Sequence, residues 1–176
     1  MKKLPYGLSD FPRLISEDYY YVDKTRYIEL LENQPNYLFL LRPRRFGKSL
    51  FLAMLEAYYS VDYADRFEEL FGELYIGKHA TKAHNKYLVL RFNFSEVSSN
   101  PDEVEQSFKA YCNAVIIRFI KKYEHLLGKE IWEELDREEK LPGLQLGKIA
   151  RYISDNNCPH IYLLIDEYDN FTNTLL

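Results

Sequence analysis

Residues 37–59 join a short apolar run, a basic loop and a second apolar segment, and this order constrains the fold more than any other feature of the chain. The run YLFLL at 37–41 has the length and composition of a strand buried on both faces. The segment 50–59 repeats its apolar residues at helical spacing. The sequence therefore predicts a strand, a connecting loop and a helix in direct succession.

The loop ends in Gly47, Lys48 and Ser49, which a phosphate-binding P-loop places between a strand and a helix. Gly47 permits close backbone approach to a phosphate, Lys48 adds a positive charge, and the Ser49 hydroxyl is suited to ligate magnesium. Backbone N–H groups and the positive end of the helix would complete the anion site. A glycine at a strand-to-helix turn beside a surface lysine is the alternative. The residues expected to contact the nucleotide are Arg44, Arg45, Phe46, Gly47, Lys48, Ser49 and Leu50.

Three arginines crowd the same turn. The general P-loop pattern has glycine at position 42, where this chain has Arg42, and Arg44 and Arg45 follow closely. One interpretation is a solvated basic loop. The other is that one guanidinium reinforces the charge on the phosphate or on the transition state, as arginines commonly do in phosphoryl transfer.

A second motif, IYLLIDE at 161–167, places two carboxylates after an apolar run and has the Walker B pattern. We expect Asp166 to hold magnesium, often through water, and Glu167 to polarise the attacking water as general base. The alternative is a pair of solvated carboxylates at a strand end. Asn93 lies near the end of another predicted strand, where it could sense a γ-phosphate, restrain Glu167 or simply end the strand.

Strands alternate with helices along the rest of the chain. The predicted elements are a helix after Asp23 as N-cap, a short helix at 65–70, a strand at 87–94, a helix at 104–127 stopped by Gly128, helices at 130–138 and 144–154, and a strand at 161–165. This alternation predicts an α/β fold, a P-loop NTPase-type three-layer sandwich with a mainly parallel sheet. We expect one domain over 1–176, truncated after the Walker B strand and incomplete at the C-terminus.

Composition and charge narrow the classes of function and location that remain. The net charge of −4 argues against a broad basic surface for nucleic acid, and the longest apolar runs are too short to span a membrane. Cys112 and Cys158 have neither disulfide-framework nor zinc spacing, so we expect a cytoplasmic protein. The 16 Tyr and 11 Phe fit a well-filled core, and they leave a protein partner or a homo-oligomer open.

The blocks YYYVDKTRYIELL, YLFLLRPRRFGKSLFLAMLEAYY, YLVLRFNFSE and YLLIDEYDNF together resemble the AAA-ATPase-like family of bacterial and archaeal proteins. The resemblance implies that Arg42 is the family's own loop variant and that ATP is the nucleotide. It also implies that the residues matching Lys48, Ser49, Asp166 and Glu167 are the nucleotide and magnesium ligands. In that family a PD-(D/E)XK nuclease-like domain commonly follows, so nucleic acid would be bound only by a domain absent from this chain. The block VDKT at 22–25 belongs to the same pattern, and its helix either sits near the nucleotide base or only packs.

Two functions follow as hypotheses. The first is an ATPase module that hydrolyses ATP with magnesium. The second is a nucleotide-gated interaction module that regulates a nuclease-like or other partner without efficient hydrolysis. A kinase acting on a small molecule shares the loop but has less need of an Asp-Glu pair at a strand end.

Overall fold

The computed structural model describes residues 2–41, 43, 45–135 and 141–169. The chain divides into two compact units, Met1–Tyr87 and Leu88–Leu176. Each unit buries apolar side chains of its own. Among the described residues, no helix combines the length and the apolar content needed to cross a membrane.

The first unit is helical in its described part. Its helices there are α1 (Phe11–Ser16), α2 (Tyr27–Glu32), α3 (Lys48–Tyr59), α4 (Phe67–Phe71) and α5 (Tyr75–Lys78). A 3₁₀ turn, Val61–Arg66, joins α3 to α4. Helix α1 begins where Asp10 accepts a hydrogen bond from the Arg13 N–H at 2.9 Å, which is a regular N-cap contact.

Helix α3 forms the centre of the first unit, and it confirms the helix predicted at 50–59. Met54 and Tyr58 on this helix are fully buried. The Tyr58 ring meets Phe71 of α4 edge to face with centroids 5.5 Å apart, and Phe11 of α1 stacks on Phe71 at 5.2 Å. Such aromatic pairs contribute about 0.5–1.5 kcal/mol each beyond their buried area. This packing holds α3 in place, and with it the residues that begin the helix.

The prediction of a strand at 37–41 is wrong. Residues 37–41 are described and form neither helix nor strand. The side chains of Tyr37, Phe39 and Leu41 are 91%, 80% and 77% exposed. A continuous apolar run becomes a buried strand only where a sheet and its covering layers enclose it, and the sheet formed by the described residues consists of two other strands.

The block at 22–25 contacts α5, and the sequence did not predict this contact. Asp23 Oδ1 accepts hydrogen bonds from the Thr25 N–H at 2.8 Å and the Thr25 hydroxyl at 2.7 Å, and Asp23 Oδ2 accepts from the Tyr75 N–H at 2.8 Å. The buried Thr25 hydroxyl also accepts from the Ile76 N–H at 3.1 Å. Asp23 is therefore not the N-cap of α2, which begins at Tyr27. Instead its carboxylate accepts a hydrogen bond from the first backbone N–H of α5, whose N-cap residue is Leu74.

The second unit contains a parallel pair of strands and three described helices. The strands are β1 (Leu88–Asn93) and β2 (Ile161–Asp166), and the helices between them are α6 (Val104–Leu127), α7 (Ile131–Glu134) and α8 (Pro142–Asp155). Leu88 pairs with Ile161, and the register runs on to Asn93 opposite Asp166. Because β1 and β2 are parallel and helices connect them, the unit confirms a mixed α/β structure.

Local signals predicted most of this unit, but α7 is four residues long where a helix was predicted at 130–138, of which residues 136–138 lie outside the described residues. Helix α6 ends at Gly128, whose φ of 84° suits glycine, and Pro142 starts α8. The apolar stripe of α6 is buried through Val115, Phe119 and Ile120. Strand β2 is covered on one face only. Its Leu163 and Ile165 are 44% and 40% exposed, so only the face of Leu164 and Asp166 is covered.

Candidate functional site

The residues that begin α3 form one group of candidate site residues. Gly47 is the N-cap of this helix with φ of 74°, and Lys48 and Ser49 are its first two residues. Arg45 also has a positive φ, 66°, which is uncommon for a residue with a side chain. The first helical hydrogen bond runs from the Phe51 N–H to the Gly47 carbonyl at 3.0 Å. The N–H groups of the first turn are directed toward the N-terminal end of the helix.

This turn has the chemistry of an anion site. Its backbone N–H groups and the helix dipole favour a negative ligand, and the alternation of positive and negative φ turns successive N–H groups toward one side. Gly47 has open space where a Cβ would lie, so its positive φ, and not crowding, explains the need for glycine here. Phe46 is 63% exposed beside it. Arg45 is exposed as well, whereas Arg42 and Arg44 lie outside the described residues.

The end of β2 carries a separate group of candidate site residues. The Asp166 carboxylate is nearly fully buried, at 1% exposure, although it ends a strand. Its Oδ1 accepts a hydrogen bond from the Glu167 N–H at 3.0 Å. Glu167 is half-buried and has φ of 53°, so the chain turns sharply after the strand. The two adjacent carboxylates thus have different surroundings, as distinct roles would require.

Arg91 is a contact of Asp166 that the sequence analysis missed. Its guanidinium Nη2 lies 3.5 Å from Asp166 Oδ2, and the two residues are 75 positions apart in the chain. The signal in the sequence was a single cation inside the apolar strand YLVLRFNF. Strand periodicity puts Arg91 on the same face as Asn93. Only the strand register, however, puts that face beside Asp166.

Asn93 has local contacts that suit a strand end. Its Oδ1 accepts hydrogen bonds from the Ser95 N–H at 3.2 Å and the Ser95 hydroxyl at 2.9 Å. Its own N–H donates to the Tyr111 hydroxyl at 2.7 Å. These contacts begin the 3₁₀ turn Phe94–Glu96 and match the strand-end interpretation of Asn93. Asp169 is exposed in a turn, and Asn170 lies outside the described residues.

The predicted site residues thus fall into two groups. Arg45, Phe46, Gly47, Lys48, Ser49 and Leu50 lie together at the start of α3, in the first unit. Asp166 and Glu167 lie together at the end of β2, in the second unit. Within the described part of the chain, no three His, Cys, Asp or Glu side chains cluster in a way that could hold a metal ion.

Comparison with known proteins places the chain in a family. An uncharacterized protein in the vnfD 5′ region of Azotobacter chroococcum mcd 1 is 31% identical over 170 residues. That match covers 96% of this chain but 29% of the relative, so the chain spans less than a third of the relative's length. No solved structure gives a significant match. Residues 5–176 match the AAA-ATPase-like family model, described as predicted AAA-ATPase, and the chain belongs to that family.

Proposed function

We propose that this chain binds ATP with magnesium and acts as a P-loop ATPase module. The observation that carries the proposal is the start of α3, where Gly47 at φ of 74° directly precedes Lys48 and Ser49 in the first turn of a twelve-residue helix. Membership of a family of predicted ATPases supports nucleotide binding independently.

The phosphates of ATP would lie against the first turn of α3. The N–H groups of that turn are directed toward the N-terminal end of the helix and suit phosphate oxygens, while the positive end of the helix dipole adds a favourable field. Lys48 contributes a full positive charge to the β- and γ-phosphates, and the Ser49 hydroxyl supplies an oxygen ligand for the metal. Arg45 is exposed in the same loop and can add a second charge.

The donor set suits magnesium. Mg²⁺ prefers oxygen ligands and is commonly held by one or two carboxylates together with phosphate oxygens, rather than by a cage of protein side chains. Ser49 and Asp166 are oxygen donors of this kind. When bound, the ion would neutralise charge that develops on the transferred phosphoryl group.

Glu167 is the proposed general base. It is half-buried and follows the buried Asp166, and the hydrogen bond between the Glu167 N–H and Asp166 Oδ1 holds the turn between them. One carboxylate can therefore serve the metal while the other orients and deprotonates the attacking water. The proposal includes a P-loop sandwich fold. The parallel pairing of β1 and β2 supports that part of the proposal.

The test compares nucleotide binding by Lys48→Ala and by a matched control. Fluorescent ATP with magnesium is titrated into the wild type, Lys48→Ala and Lys82→Ala, since Lys82 is an exposed lysine of the same unit. We expect Lys48→Ala to bind at least about tenfold more weakly and Lys82→Ala to bind normally. Equal affinities for all three proteins, or no binding by a folded wild type, would refute the proposal. Arg45→Ala tests the supporting cation in the same titration.

Turnover separates the ATPase from the alternative module. We expect the wild type to release phosphate from ATP and Glu167→Gln to bind ATP while turnover falls at least about a hundredfold. Binding without turnover in the wild type would instead favour a nucleotide-gated interaction module. Such a module is tested by measuring whether ATP makes the protein associate with itself or with a partner. The nuclease-like partner and the cytoplasmic location remain predictions.

A further inference from the structure

The side chains of Arg91 and Asp166 contact each other between the neighbouring parallel strands β1 and β2. In the register of the pair, Arg91 lies opposite Leu164 and Asn93 lies opposite Asp166. Because alternate residues of a strand share a face, all four side chains belong to the same face of the sheet. The Arg91 guanidinium therefore lies diagonally across from the Asp166 carboxylate, with 3.5 Å between Nη2 and Oδ2.

Burial makes this contact significant for the carboxylate. The Asp166 side chain is 2% exposed, whereas that of Arg91 is 28% exposed. An ionised carboxylate removed from water needs compensation from a nearby positive charge or from hydrogen bonds. The Glu167 N–H donates to Oδ1 and the Arg91 guanidinium lies beside Oδ2, so each carboxylate oxygen has a donor in the structure.

The geometry also allows a divalent cation to replace Arg91 at Asp166 Oδ2. A charge-assisted N–H···O bond is usually about 2.7–2.9 Å long, so a separation of 3.5 Å indicates a loose pair held mainly by charge. The partial exposure of Arg91 gives its head group a path to solvent. A divalent cation at Oδ2 would meet the positive guanidinium within a few ångströms, and the two cations repel each other.

We propose that Arg91 is the counter-ion of Asp166 in the metal-free protein and that it competes with the divalent cation for Asp166 Oδ2. Arg91 is then a positioning residue, which holds the buried carboxylate in one orientation until the cation takes its place. This inference rests on the proposed function in one respect, namely that Asp166 is a metal ligand.

Cation binding without nucleotide tests the competition directly. Mn²⁺, which accepts the same oxygen ligands, is titrated into nucleotide-free protein and its free fraction is followed by electron paramagnetic resonance. We expect Arg91→Met to bind Mn²⁺ about tenfold more tightly than the wild type, because the competing charge is gone. Arg91→Lys keeps the charge and should stay near the wild type. Arg151→Met, which removes an exposed arginine of the same unit, should not change the affinity.

A double-mutant cycle tests the pair itself. We expect Arg91→Met to lower the urea midpoint of the metal-free protein when Asp166 is present, and to lower it much less in an Asp166→Asn background, where no charge needs compensation. Equal effects in both backgrounds would overturn the pairing. Mn²⁺ affinity of Arg91→Met that is no higher than that of the wild type would overturn the competition.

The outcomes distinguish this inference from the proposed function. If the wild type binds ATP with magnesium but Arg91→Met keeps wild-type Mn²⁺ affinity, the inference about Arg91 fails alone. If Arg91→Met gains Mn²⁺ affinity and Asp166→Asn loses it, but no variant binds ATP, the proposed function fails and the exchange at Asp166 stands.

Discussion

Replacing Thr25 by valine removes one buried hydroxyl that serves two hydrogen bonds. In the structure the hydroxyl donates to Asp23 Oδ1 at 2.7 Å and accepts from the Ile76 N–H at 3.1 Å, and both Thr25 and Ile76 are fully buried. Leaving the Ile76 N–H without this acceptor costs about 1–3 kcal/mol, and losing a hydrogen bond to a carboxylate costs about 1.5 kcal/mol or more. We expect Thr25→Val to lower the free energy of unfolding by about 3 kcal/mol, since valine matches the shape of threonine and opens no cavity.

Urea unfolding followed by circular dichroism measures this loss. Thr25→Ser is the matched control, because it keeps the hydroxyl and removes a methyl group that is worth about 1 kcal/mol. Thr25→Val should therefore unfold at clearly lower urea than Thr25→Ser, while the folded fraction binds ATP as the wild type does. The reasoning would be refuted if the two variants were equally stable. A loss of ATP affinity at unchanged stability would instead favour a nucleotide role for the block at 22–25.

Two further predictions concern glycine and cysteine. A Cβ at Gly77 would run into the backbone carbonyl of Phe71, so Gly77→Ala should lower the free energy of unfolding by about 1–3 kcal/mol. Gly147 lies inside α8 with open space around it, so Gly147→Ala should raise the free energy of unfolding by about 0.5–1 kcal/mol. Similar urea midpoints for the two variants would contradict this prediction. Burial raises the pKa of Cys112 from 9.0 to about 11, so the thiol favours the folded state fully below pH 9.0 and loses that contribution as pH rises through about 11. The urea midpoint of the wild type should therefore fall more steeply over this interval than that of Cys112→Ala, and parallel curves would exclude the linkage.

Much of the fold could be predicted because the decisive patterns are local. The apolar repeat of α3, the long stripe of α6 with Gly128 at its end, and the strands at Leu88–Asn93 and Ile161–Asp166 each carry their own periodicity. Helical and extended periods differ within a few residues, so such segments are assigned without knowing their neighbours. The glycine that begins α3 followed in the same way from the order of apolar run, loop and apolar segment.

Other features depended on contacts between distant parts of the chain. The run at 37–41 reads as a buried strand, yet its apolar side chains are exposed, because apolarity shows what a strand can bury and not whether a sheet will enclose it. Asp23 has the residue type of a helix N-cap, yet its carboxylate accepts a hydrogen bond from the first backbone N–H of α5, 52 positions away. A residue's type sets which partner it can accept, whereas the path of the chain sets which partner it meets.

The sequence by itself determined the chemical groups of the proposed function, since Lys48, Ser49, Asp166 and Glu167 are recognisable from their order between apolar segments. Only the tertiary structure decided the charge that stands beside Asp166. Arg91 is 75 residues away along the chain, and the register of β1 against β2 brings its guanidinium within 3.5 Å of the buried carboxylate. A strand's own pattern does not contain its register, because register depends on the partner strand and on the helices that connect the two.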